Sequence, residues 1–243
     1  MPKLKAIFFD LDETLIENRL SVTEVFGRMY TDFENELGPN NQKPFFGTLR
    51  ECAKTVWSQM FEVDLTPEQQ LIQCFEQSIN ATGTVSKARQ FSLAQDMFDQ
   101  FLSLSSNNVR FQDQAEHVLD DLRAIGYKTG IITNGIEKIQ LGKIAKLSLA
   151  DKVDTVTVSA QARAHKPLSP VFELALSRTG SIAAESMMIG DHPTNDVAGS
   201  IRIGMKGVYY NPKQHDVEHA FSELSERPSH VIEEMPKLLS LLW

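Results

Sequence analysis

Residues 10–14, Asp-Leu-Asp-Glu-Thr, put three carboxylates within four positions, directly behind the strand-forming run Ala6-Ile7-Phe8-Phe9. Carboxylates so crowded do not all stay ionised without a countercharge. At the mouth of a sheet, a carboxylate is placed to attack phosphorus, forming an aspartyl phosphate that divides one hard transfer into two easier ones. Asp10 is the expected nucleophile. Residues two apart on an extended chain point the same way, so Asp12 is expected to reach the leaving-group oxygen from the same side. There it serves first as an acid and then as a base toward water. The expected countercharge is Mg²⁺, which prefers oxygen ligands and keeps several of its waters.

Other chemistry-bearing residues follow other apolar runs. Thr133 and Asn134 come after Gly130-Ile131-Ile132, Lys166 lies past Thr155–Ala160, and Asp191 and Asp196 come after Met187–Gly190. Asp191 is expected to supply a second carboxylate to the cation. Lys166 is expected to pair with Asp10 and the phosphoryl oxygens, and Thr133 to hydrogen-bond one of them, both stabilising negative charge as it develops. Each has a plainer reading alone: Thr133 as a strand-end turn residue, Lys166 as a solvated loop lysine, Asp196 as an acid favoured at a helix N-terminus.

What brings these residues together is the order of the elements. From residue 109 onward, strand-like runs (128–134, 152–159, 186–191, 207–212, 230–234) alternate with helical ones. This alternation is the signature of a parallel sheet with helices on both faces. In such sheets ligands bind beyond the carboxyl ends of the strands, where the polar residues named above converge. Between the first strand and this series the pattern is helical. Ser21 and Glu24 have capping-box spacing, Thr66 and Pro67 read as an N-cap and first helical residue, and Gly38 and Gly83 read as stops. Trp57, Met60, Phe98 and Phe101 read as core of these helices. The glycines of Gly135–Lys143 are spaced too widely for a phosphate loop, and Ile144 follows the lysine.

Composition narrows the function. A formal net charge of −8 over 243 residues argues against a nucleic-acid partner, while a small anionic substrate needs only a local cationic site. The N-terminus lacks the shape of a signal peptide, and no segment approaches the ~20 apolar residues of a membrane span. A cytoplasmic protein is expected. Two cysteines, Cys52 and Cys74, are too few for a disulfide framework or a four-ligand zinc site, and are expected as reduced thiols on helix faces.

The segments 10–14 (DLDET), 132–135 (ITNG), 165–167 (HKP) and 190–196 (GDHPTND) together resemble the four ordered motifs of the haloacid dehalogenase-like hydrolase superfamily. The resemblance covers nearly the whole chain. It implies a Rossmann-like α/β core at residues 1–16 and 109–243 and an inserted all-helical C1-type cap at 17–108. It implies Asp10 as nucleophile and Asp12 as acid/base, with Thr133, Asn134 and Lys166 at the substrate. It also implies Mg²⁺ held by Asp10, the backbone carbonyl of Asp12, and Asp191, with Asp196 a ligand through water or a support. His165 and His192 read as loop residues.

Asp12 sorts the members of that superfamily. Haloacid dehalogenases lack the second carboxylate, so its presence favours phosphoryl transfer, with a phosphomutase or a haloacid dehalogenase of the same fold as the enzymatic alternatives and a non-catalytic binding module as another. The segments around residues 130–147, 165–176 and 190–212 are most similar to the pyrimidine 5'-nucleotidase, N-acylneuraminate 9-phosphatase and flavin mononucleotide phosphatase subgroup. The expected partner is a small-molecule phosphate ester, taken by a monomer or homodimer. Substrate choice is expected to lie in the cap, where Arg28, Tyr30, Arg50 and Trp57 are candidate contacts, with hinges near residues 15–20 and 104–110.

Overall fold

The computed structural model describes residues 3–242. Eight strands are present among them: β1 (Ala6–Phe9), β2 (Ile16–Asn18), β3 (Val109–Phe111), β4 (Lys128–Thr133), β5 (Thr155–Val158), β6 (Ser186–Gly190), β7 (Lys206–Tyr210) and β8 (His230–Ile232). Six form one sheet in the order β5-β4-β1-β6-β7-β8, every pairing parallel. The expected α/β core is therefore present. A strand covered on both faces needs apolar side chains at every position, and all four residues of β1 are fully buried.

The two-residue period of the strand sends successive side chains of β1 to opposite faces. Ile7 and Phe9 join a cluster with Val118, Leu119 and Leu122 of the helix Ala115–Ile125. Ala6 and Phe8 pack with Val171, Phe172 and Ala175 of the helix Ser169–Thr179. From β1 the chain runs out through β4 to β5 on one side, then returns to β6, β7 and β8 on the other. The reversal opens a crevice between the carboxyl ends of β1 and β6, where such sheets bind ligands.

The chain up to Arg19, together with the chain from Val109 onward, forms one compact unit, and Leu20–Asn108 forms another. The first unit holds an antiparallel ribbon of β2 and β3, three residues each, that sequence reasoning did not register. Within residues 104–110, Leu104–Asn107 complete a helix, Asn108 follows it, and Val109 opens β3.

Within Leu20–Asn108 the main helices are Val22–Asp32, Gln42–Gln59, Pro67–Thr82 and Lys87–Asn107. Both anticipated caps form: Ser21 and Glu24 bond reciprocally, Thr66 caps its helix with Gln69, and Gly83 closes that helix at a φ of 70°. Phe26 stacks on Phe101 at 5.1 Å and meets Phe75 edge-on. Two expectations fail. Trp57 is 52% exposed rather than core, because its turn of helix faces solvent while Phe45 and Leu49 take the interior. Cys52 and Cys74 are joined in a disulfide between facing helices, a proximity that spacing along the chain does not reveal. Tyr30, a candidate substrate contact, is buried and donates its hydroxyl to the Gly38 carbonyl at 2.6 Å. Among the described residues no helix is long and apolar enough to cross a membrane.

Candidate active site

Asp10 is the first residue past β1, and its N–H donates to the Ile189 carbonyl at 2.9 Å, extending the β1–β6 pairing by one rung. Its side chain is thereby fixed beside the crevice. The chain then turns sharply: the N–H groups of Leu15 and Ile16 both donate to the Leu11 carbonyl, and Glu13 adopts a left-handed φ of 58°.

Lys166 reaches the same point from the loop after β5. Its ammonium donates to Asp10 Oδ1 at 2.7 Å, Asp196 Oδ1 at 2.6 Å and the Ile132 carbonyl at 2.7 Å. An ammonium has three protons, and all three are used. Burial would lower its pKa, but Asp10 and Asp196 outweigh burial and hold the lysine charged. Asn134 turns its side-chain amide to the lysine backbone, accepting from Lys166 N at 2.8 Å and donating to Lys166 O at 3.0 Å. Its side chain fixes Lys166.

Asp191 and Asp196 complete the cluster from the end of β6. Asp196 lies in the π-helical turn Pro193–Ala198, fully buried, and its Oδ2 accepts the His192 N–H at 3.0 Å. This exceeds the helix-terminus role open to it from sequence. His192 in turn caps the turn, its Nδ1 accepting from Thr194 and Asn195. Gly190 makes the approach feasible, since a Cβ there would fall 2.3 Å from the Asp196 carboxylate.

Asp10, Asp191 and Asp196 each offer an oxygen within 4.8 Å of the others. Three carboxylates against one ammonium leave two negative charges uncompensated. Burial presses Asp10 upward in pKa, against Lys166, with Asp196 adding to the rise. Asp191 is pushed up to about 6, by burial and then by Asp196. A compact all-oxygen donor set short of two positive charges fits a hard divalent cation such as Mg²⁺.

The Asp12 side chain is not part of that cluster. It accepts from Lys143 Nζ at 2.6 Å, Gln140 Nε2 at 2.7 Å and Asn18 Nδ2 at 2.8 Å. Burial alone would raise its pKa, yet Lys143 foremost, with Gln140 and Asn18, brings it below the ordinary carboxylate value. Thr133 is buried at the end of β4, its Oγ1 receiving the other Gln140 amide proton at 2.6 Å. None of these three partners of Asp12 was recognised from sequence. A signal was present, because Gln140 and Lys143 lie inside the apolar arc of their helix, flanked by Ile136, Ile139 and Ile144, instead of on the solvent side. His165, read as a loop residue, sets its Nδ1 2.9 Å from Ser159 Oγ, which also accepts from the Gly135 N–H.

Residues 7–209 match the model of a family described as haloacid dehalogenase-like hydrolase. The chain belongs to that family. Among haloacid dehalogenase-like relatives, a glyceraldehyde 3-phosphate phosphatase of Methanothermobacter thermautotrophicus is 26% identical across 98% of this chain and 100% of its own length. A ribulose-1,5-bisphosphate 5-phosphatase of Halopiger xanaduensis is 32% identical over 59% of this chain, a match spanning 62% of that protein. Phosphoric monoester hydrolases, the expected class, are what these two represent. A 2-haloacid dehalogenase of Pseudomonas syringae shares the fold, with a TM-score of 0.79 over 98% of both chains at 22% identity.

Proposed function

We propose that this chain is a Mg²⁺-dependent phosphatase that hydrolyses small phosphorylated metabolites through an aspartyl phosphate on Asp10. The observation that carries the reading is the separation of two carboxylate environments. Asp10 sits with Asp191, Asp196 and Lys166, whereas Asp12, two residues on, is gripped by Lys143, Gln140 and Asn18. A carboxylate kept out of the cation cluster is available for proton transfer, which a phosphate ester needs and a carbon–halogen bond does not. Both phosphatase relatives act, by their names, on phosphorylated sugars or trioses, which supports a small phosphorylated metabolite here.

Lys166 holds Oδ1 of Asp10, which leaves Oδ2 to attack phosphorus. The bond from Asp10 to phosphorus forms as the bond to the leaving oxygen breaks. That oxygen takes up a proton from Asp12 when the ester is a poor leaving group. Water then attacks the same phosphorus, giving its proton to the Asp12 carboxylate, and Asp10 departs unchanged. The Lys166 ammonium and the Thr133 hydroxyl meet the negative charge on the phosphoryl oxygens. Mg²⁺, held by Asp10 and Asp191 with the Asp12 carbonyl and with Asp196 as ligand or support, would neutralise charge on those oxygens when bound. The helical unit Leu20–Asn108 is the proposed selector of substrate.

A panel of nucleoside monophosphates, sugar phosphates and flavin mononucleotide, assayed with Mg²⁺ and with excess chelator, tests this reading. Turnover of at least one ester that disappears on chelation and returns with Mg²⁺ is expected. Undiminished activity in chelator, or dehalogenation of a 2-haloacid without phosphate release, would overturn it.

A further inference from the structure

Gln140 stands between the two residues that handle opposite ends of the scissile bond. Its Nε2 is 2.7 Å from Asp12 Oδ2 and 2.6 Å from Thr133 Oγ1, and the residue is buried at 3% exposure. A carboxylate only accepts, so the amide must turn its NH₂ toward Asp12, and the second proton of that nitrogen then meets Thr133. Thr133 Oγ1 is therefore an acceptor toward Gln140. Its own proton is directed elsewhere, with the Asn134 carbonyl 3.5 Å away as a weak internal partner. Gly135 makes room for the arrangement: a Cβ there would come 2.9 Å from Gln140 Cγ, at a φ of 151°.

On the reading that this is an aspartyl-phosphate phosphatase, we propose that Gln140 is a positioning residue that fixes the Thr133 hydroxyl as a donor to the phosphoryl group and holds the Asp12 carboxylate in line with it. One amide thus sets both the charge-stabilising donor and the proton-transfer group. Neither contact needs Gln140 to touch substrate. Without the amide the Thr133 hydroxyl is free to rotate, and its donor is no longer aimed in advance. Preorganised donors of this kind act on the rate of the chemical step more than on ground-state binding.

The test is a double-mutant cycle between Gln140 and Thr133, read as the single-turnover rate of phosphoenzyme formation from nitrophenyl phosphate. That leaving group needs no proton, so the assay isolates the Thr133 arm. Gln140→Met, similar in length but without donors, is expected to slow this step roughly 10- to 100-fold with KM changed less than about threefold. In a Thr133→Val background, the same change is expected to cost less than about threefold, since the hydroxyl that Gln140 orients is gone. Gln140→Glu supplies a second variant should the methionine disturb folding. Ionised, or sharing one proton with Asp12, it cannot donate to both partners, so Thr133 turns its proton toward it and the loss is expected to be at least as large. Equal losses in the wild-type and Thr133→Val backgrounds, or wild-type rates in both variants, would overturn the inference alone. No phosphoenzyme in the wild type would overturn the underlying reading and the inference with it.

Discussion

The Lys143 ammonium lies 2.6 Å from Oδ1 of Asp12, with only 9% of the lysine side chain exposed. This pair decides the resting state of the carboxylate proposed for proton transfer. Asp12 is held below the ordinary carboxylate range, Lys143 being the foremost of the partners that overcome its burial. At neutral pH it rests as a carboxylate, the form that accepts a proton from water. To protonate a leaving group it must first take up a proton. Esters with poor leaving groups are therefore expected to gain, relative to nitrophenyl phosphate, as pH is lowered. The check is the ratio of kcat/KM for an alkyl phosphate to that for nitrophenyl phosphate across pH; a ratio that is flat or falls toward acid would contradict it.

Lys143→Met should move that balance. With its main cationic partner gone, burial dominates and the pKa of Asp12 rises, so the acid limb of phosphoenzyme hydrolysis shifts to higher pH. The stability sign is set by the same pair. A folded-state pKa below the unfolded ~3.9 contributes stability present above that value and lost as pH falls through the folded pKa. The variant is expected to lose about 2 kcal/mol near neutral pH and much less in acid. Denaturant unfolding at the two pH values measures it.

Asp191, pushed up to about 6 by burial and by Asp196, makes the opposite contribution. In the metal-free protein its ionisation costs stability as pH rises from ~3.9 through about 6. Cation binding must displace that proton. Mg²⁺ affinity is expected to weaken below about pH 6 and to release protons on binding there. Calorimetric titration in buffers of different ionisation enthalpy detects both, and Asp191→Asn should remove most of the affinity and the share of the pH dependence that Asp191 contributes.

Gly190→Ala tests how tightly Asp196 is seated. The added methyl would lie 2.3 Å from a fully buried carboxylate that also anchors Lys166. Relief requires Asp196 to leave its hydrogen bonds with His192 and Lys166, so loss of stability of roughly 3 kcal/mol and a large drop in kcat are expected together. A stable, active Gly190→Ala enzyme would show the turn to be more yielding than its contacts imply.

Much of this was legible from sequence, for identifiable reasons. Asp10 and Asp191 directly follow strands whose apolar runs are continuous, and Lys166 lies in the loop beyond β5, so the convergence of these segments could be read from the order of the elements. Asp196 could be placed but not valued, because its burial depends on Gly190 and on a π-helical turn that local propensity does not announce. Strands of three residues, such as Ile16–Asn18 and Val109–Phe111, are too short for alternation to show. Gln140 and Lys143 were overlooked because their segment, read as a helix, was weighed for its place in the alternation and not for the two polar groups on its apolar arc. The Cys52–Cys74 pairing depends on which faces two helices turn to each other, a property of packing and not of spacing.

The central claim is that phosphate passes through Asp10. Rapid quenching of a single turnover with a radiolabelled phosphate ester, followed by peptide mapping, examines it most directly. Label on the peptide containing Asp10, labile to base, discharged by water on the time scale of turnover and absent in Asp10→Asn, is the expected result. Turnover at full rate in Asp10→Asn, or label on a serine, threonine or histidine instead, would contradict the account.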